Sequence, residues 1–360
     1  FMLVNGEFVA PSGLMQINRY NTSSVDIFNH NGGIFTANGG TVLFNPVYHN
    51  RFDGRLFDIH VQPTTEFYNV ILDMNRSDSR EATLRMQGGP LIAHGDVTFR
   101  DGQFTGDIQV GGNIDFSNAN TLSFTGSVDF IDSNPQTYHL GNALGGELKY
   151  IDVHKTGGIA TGDPANTDLS AWNIRVYSGT FELPSGILTL GENLNSGGIY
   201  NSLYTAGSGA ITHNGSGKVI CKGSRNIQYT ANGSISLYDL EIDKGAAEIR
   251  ILNGDIHIAN ELKLLGSPSF YVFDNALYTK DLVLNGTMYF DDNGSLVQTQ
   301  GGTFSGTGEI DYQRIGITEN TGFSLWSSPV ANADLFQVFE HSNQCVLYGF
   351  DQAQQLWRFD

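Results

Sequence analysis

Val97-Thr98-Phe99, Ile108-Gln109-Val110, Ile114-Asp115-Phe116, Leu122-Ser123-Phe124 and Val128-Asp129-Phe130 repeat one small device. Two apolar residues flank a single polar one, and glycine or polar residues separate the copies. On an extended chain the apolar side chains point to one face and the middle residue to the other. Strands this short do not hold by themselves. They need neighbours above and below, so the stretch predicts a coil of stacked β-rungs rather than a pocketed enzyme fold.

Working outward, turn chemistry is dense and even. Asn-Gly begins at Asn5, Asn31, Asn38, Asn214, Asn232, Asn253, Asn285 and Asn293, and Asp-Gly at Asp53 and Asp101. These dipeptides tolerate left-handed backbone angles and mark corners. Between them lie short apolar runs such as Ile256-His257-Ile258, Leu262-Lys263-Leu264 and Met288-Tyr289-Phe290. Parallel stacking at a rise of about 4.8 Å puts roughly thirteen rungs into a rod about 60 Å long. Corner Asn amides are expected to bond to one another along the axis. The rival architecture is a β-sandwich array, whose antiparallel hairpins use the same Asn-Gly turns.

A longer repeat overlies the short one. Phe67-Tyr68-Asn69-Val70-Ile71-Leu72-Asp73, Leu148-Lys149-Tyr150-Ile151-Asp152-Val153-His154 and Leu237-Tyr238-Asp239-Leu240-Glu241-Ile242-Asp243 share apolar first, fourth and sixth places. They start 81 and 89 residues apart. At roughly 20 to 25 residues per rung, each interval is about four rungs.

Charged residues are only 16% of the 360, and Gly numbers 44 against 9 Pro. The net charge of −18 argues against nucleic acid and anionic membrane surfaces as partners. No apolar run approaches the roughly 18 residues that span a bilayer. Cys221 and Cys345 permit one disulfide and no disulfide framework. The chain opens at Phe1 without a signal-peptide pattern and reads as a processed piece of a longer protein. One helix is predicted, Asp334 to His341, in a region where the Asn-Gly rhythm has stopped and Trp326 and Trp357 appear. The expected organisation is therefore all-β: a right-handed parallel β-helix (β-solenoid) over 1–316, then a small C-terminal module beginning at 317 and running through 360.

Three strings carry a family resemblance. They are the Phe67 element, Gly179-Thr180-Phe181 through Gly191, and Leu325-Trp326-Ser327-Ser328-Pro329-Val330 followed by Tyr348 and Trp357. Together they resemble large surface proteins of the Bacteroidota exported by type IX secretion. Such proteins look like repetitive β-solenoids followed by a Trp-Ser-Ser-Pro-Val module. The resemblance implies a secreted or outer-surface location, an adhesive or spacing role, and the secretion machinery as a partner. It transfers no catalytic residue.

The chemistry-bearing candidates read mostly as scaffold. Asp291-Asp292-Asn293 precedes a glycine and looks like a corner, since Asx side chains bond their own turns. A Ca²⁺ site at Asp291 and Asn293 falls short of six oxygen ligands. Asp129 with Asp132, and Asp351, are further acid candidates. Asp-x-His occurs at Asp58–His60, Asp152–His154 and Asp255–His257, with both polar ends on one strand face. The copies sit at different offsets from the longer repeat, so they read as outward polar residues. No HExxH or His-x-His supports zinc, and no Gly-x-Ser-x-Gly lies between a strand and a helix. Tyr200, Tyr204, Tyr271, Tyr278 and Tyr289 are candidates for stacking on sugars, against the alternative of cross-rung packing. No catalytic, cofactor-binding or metal-ligating residue is assigned, and no cofactor is expected.

The expected function is a non-enzymatic secreted or cell-surface solenoid, a stalk or adhesive segment of a larger protein, with surface glycans or other cells as contacts. The alternative is a carbohydrate-active β-helix enzyme or a carbohydrate-binding module. Three or more outward acids and bases converging within a groove would favour the enzyme.

Overall fold

A computed structural model describes residues 1–18, 20–21, 25–48, 56–74, 83–117, 123–140, 148–165, 168–191, 200–291, 293–313, 348–351 and 356–359. The chain divides into two compact units, Phe1–Arg314 and Ile315–Asp360. The described residues of the first unit contain strands and turns but no helix.

The first unit is a parallel β-solenoid. Its strands fall into three columns, visited in the same order on every turn. The third column takes one strand from each of thirteen turns. It runs from Leu14–Ile17, Thr41–Phe44, Asn69–Asp73 and Val97–Asp101 up to Ala276–Thr279 and Ser295–Gln298, pairing with its neighbours in parallel throughout. The first column runs from Met2–Leu3 to the start of Ser123–Phe130, then resumes from Leu169–Ala171 to Phe304–Gly306. The second column runs up to Glu309–Tyr312, which begins a fourteenth turn with Phe304–Gly306. Three long strands, Ser123–Phe130, Leu148–Gly162 and Asn173–Glu182, each continue around a corner and serve two columns. At about 4.8 Å per turn the stack extends about 60 Å.

The hairpins of a sandwich are not there. Among the described residues the single antiparallel pair is Tyr348–Asp351 with Leu356–Phe359, in the second unit. Asn-Gly serves as a corner instead: Gly39 and Gly215 take φ of 69° and 91°, and Asn253 itself takes 61°. Turn length varies with what the corners carry. Ladder partners lie 17 residues apart at Val97 and Ile114 and 31 apart at Leu188 and Val219. Lengthening a surface loop costs little free energy, so the core stays in register.

Alternation builds the core. In the second column Leu91, Ile108, Val128, Ile151, Ile174, Leu203, Tyr229, Ile251, Val272 and Phe290 are successive ladder partners, and all are buried. Each apolar pair of the opening stretch that can be followed is buried at both ends, as at Val97 and Phe99 or Val128 and Phe130. Burying each such side chain contributes about 1.5–3 kcal/mol. Cys221 belongs to an inward ladder of the first column, between Leu190 and Ile242. It is a free thiol, so the structure does not use the disulfide that the composition permits.

Corner Asx residues do hold the axis, but not by amide-to-amide stacking. Asn69 Oδ1 accepts the Asp96 N–H at 2.8 Å, Asp96 Oδ1 accepts the Asn113 N–H at 2.7 Å, and Asn113 Oδ1 accepts the Thr137 N–H at 2.8 Å. Each side chain satisfies a peptide group one turn up, which a sharp corner would leave without a ladder partner.

The longer repeat is a corner, not a set of rungs. Phe67 closes a second-column strand and Val70 opens the third column. Leu148 stands opposite Gly126 at the end of the first column's path, and Ile151 lies in the second. Leu237 closes the third column and Leu240 opens the first. The first, fourth and sixth residues are buried in all three copies. Each copy therefore straddles a different corner, and both intervals fall one corner short of four turns.

Trp326 to Val330, the Asp334–His341 helix, Cys345 and Asp292 lie outside the described residues.

Candidate functional site

Two of the three Asp-x-His strands assemble the same cross-turn cluster. In Leu56–His60, Phe57 and Ile59 point inward, so Asp58 and His60 point outward. Asp26 is the ladder partner of Asp58 on the preceding turn, and Arg85 on the following one. His60 Nε2 reaches back to Asp26 at 3.2 Å. Arg85 donates twice to Asp58, from Nε at 2.7 Å and Nη2 at 3.0 Å.

The second column repeats this arrangement. Asp129, Asp152 and Arg175 are consecutive ladder partners. His154 Nδ1 lies 2.9 Å from Asp129 Oδ1, and Arg175 forks onto Asp152 with two bonds of 2.6 Å. Aromatic rings surround this copy. His154 stacks on Tyr177 at 4.4 Å, Tyr177 meets Tyr204 at 5.5 Å, and the Arg175 guanidinium lies 4.0 Å over the Tyr150 ring. Trp172 packs edge-on to Tyr150.

Electrostatics differentiate the two acids. Burial raises Asp129 above the ordinary carboxylate range and the Asp152 charge adds to this, while the His154 hydrogen bond opposes it. Burial pulls Arg175 down, but its bonds to Asp152 outweigh that and hold it above its ordinary value. A charged fork on both oxygens favours the ionised form of Asp152. One carboxyl that takes up a proton readily thus lies one turn from one held as an anion. Carboxyl pairs of this kind divide acid and base roles in some hydrolases.

The remaining candidates behave as scaffold. Asp255 Oδ1 accepts the Ala276 N–H at 2.7 Å and His257 stacks on Tyr278 at 4.2 Å, so the third Asp-x-His builds no such cluster. Asp129 meets Asp152, whereas Asp132 turns away to His94 at 3.2 Å. Asp291 Oδ1 accepts the N–H groups of Asp274 and Gly294, which is the corner role read from its neighbours. Tyr271 stacks on Tyr289 at 4.7 Å, which with the Tyr278 and Tyr204 contacts gives the cross-turn packing that was weighed against sugar stacking. The side chains of Tyr200 and Asp351 lie outside the described residues. A shallow recess of about 180 Å³ lies beside Leu188, Lys218 and Tyr238 and includes neither acid cluster.

Asp26, Arg85 and Arg175 escaped notice because each is a lone charged residue in its own strand. Their signal is the register: aligning Val128/Phe130, Ile151/Val153 and Ile174/Val176 places Asp129, Asp152 and Arg175 in one file. Comparison with protein-family models, curated proteins and solved structures returned no match.

Proposed function

We propose that the chain is a non-enzymatic β-solenoid of a secreted or outer-surface protein, exported by the type IX route, in which it serves as a stalk or adhesive segment. The observation that carries this reading is the second-column ladder, continuous from Leu91 to Tyr312. The residues that recur are those that build a stiff stack, and the outward charges of both clusters are spent on tying one turn to the next. A rod of this kind spaces a tip from its anchor or offers a long face for weak multivalent contacts. The export route and the bacterial setting rest on the resemblance around Phe67, Gly179 and Trp326.

The Asp129/Asp152 cluster favours one second reading, a carbohydrate-active β-helix enzyme. The two are separated by incubating the chain with neutral, amino and uronic-acid polysaccharides while following new reducing ends and unsaturated products. The stalk reading expects glycan-array binding without turnover. Turnover that disappears in Asp129→Asn and Asp152→Asn would replace it with the enzyme. Absence of binding on the array would remove the adhesive role and leave the spacer.

A further inference from the structure

We propose that Asp26, Asp58 and His60, with Asn29, form a site for a divalent first-row transition-metal cation that clips two consecutive turns together. One carboxylate oxygen from each Asp and one His60 nitrogen lie within 4.8 Å of one another, close enough for a single ion to draw them in. The second and independent sign is Asn29. Its residue is 8% exposed, and its buried Oδ1 has no hydrogen-bond partner. A buried amide oxygen without a donor costs about 1–3 kcal/mol. The amide belongs to the cluster, because Asn29 Nδ2 donates to Asp26 Oδ2 at 3.1 Å and Asn29 is the ladder partner of His60. Turning the amide over presents Oδ1 to the same side as the Asp26 carboxylate, where a cation satisfies it.

The donor set decides the class of ion. Two carboxylates, an imidazole and an amide oxygen suit Zn²⁺ or Mn²⁺, whereas Ca²⁺ and Mg²⁺ prefer oxygen throughout. Arg85 holds Asp58 from the next turn and leaves outer lone pairs on both oxygens, the place of an orienting group behind a metal ligand. The second cluster supplies an internal comparison. There Phe130 is followed by Ile131 where Phe28 is followed by Asn29, and the His154 ring is stacked on Tyr177. It lacks the amide oxygen and is not proposed as a site.

The test uses the full 360-residue chain, stripped with a chelator and titrated with Zn²⁺ against a competing chromophoric chelator and with Mn²⁺ by electron paramagnetic resonance. One equivalent is expected to bind at this site and to raise the melting temperature. His60→Gln and Asp26→Asn should each weaken it by at least about 10-fold, as loss of a metal contact does, and should abolish the thermal shift. His154→Gln should leave both unchanged. His60 and Asp26 are partly exposed, so these variants keep the core intact, and circular dichroism verifies the fold. Failure of the native chain to retain either ion, or unaltered binding in His60→Gln, would overturn the proposal.

Discussion

At the scale of single residues, the corners depend on side chains that answer for a neighbouring turn's backbone. Asn113 accepts both the N–H and the hydroxyl of Thr137. Asn113→Ala leaves these donors to water at a partly open corner, and we expect a loss of about 0.5–1.5 kcal/mol in urea unfolding. Asn113→Asp retains the acceptor and should recover most of that loss. His94 shows how titration enters the same corners. Its Nε2 lies 3.0 Å from Glu66 and its Nδ1 3.2 Å from Asp132. Burial alone would lower the His94 pKa, but these two carboxylates outweigh it and the value is raised. The folded chain therefore binds the proton more tightly than the unfolded chain. The stability this supplies is fully present below the ordinary histidine pKa and is lost as pH rises through the folded value. An NMR titration of His94 should give a midpoint above the ordinary value, and Glu66→Gln should bring it down; a midpoint unmoved by Glu66→Gln would contradict the assignment.

At the scale of elements, the inward ladders carry the stability. Ile174 is buried between Ile151 and Leu203, with one turn above and one below. Ile174→Ala should cost about 2–5 kcal/mol by chemical unfolding, since neighbouring turns relax only partly around the space left. The effect should be concentrated in adjacent turns, because each contacts mainly its neighbours; hydrogen exchange would show this. These strands were legible in the sequence wherever apolar residues flank one polar residue, since alternation alone decides which side chains are buried. The phase of the turns was less legible. Phe67, Leu148 and Leu237 occupy three different corners, yet all obey one local pattern of an inward residue, a bend and two more inward residues. Corner chemistry is local and cannot report which corner it builds. The clusters stayed hidden for the same reason. Asp58 and Arg85 lie 27 residues apart and become neighbours only when their turns are placed in register.

At the scale of the whole first unit, the central claim is that these columns continue as one parallel stack. The outward residues of the second column provide a ruler. Gln109, Asp129, Asp152, Arg175 and Tyr204 follow one another up the ladder. Asn201, in the same strand as Tyr204, continues the file through Gln228, Arg250, Tyr271, Tyr289 and Asp311. From Gln109 to Asp311 there are nine spacings, or about 43 Å at about 4.8 Å each. The direct measurement is pulsed electron–electron resonance between spin labels at Gln109→Cys and Asp311→Cys, with Cys221→Ala and Cys345→Ser in the background. A single narrow distribution centred near about 43 Å is expected. A broad distribution, or one below about 25 Å of the kind that sheets packed face to face would allow, would contradict the stack.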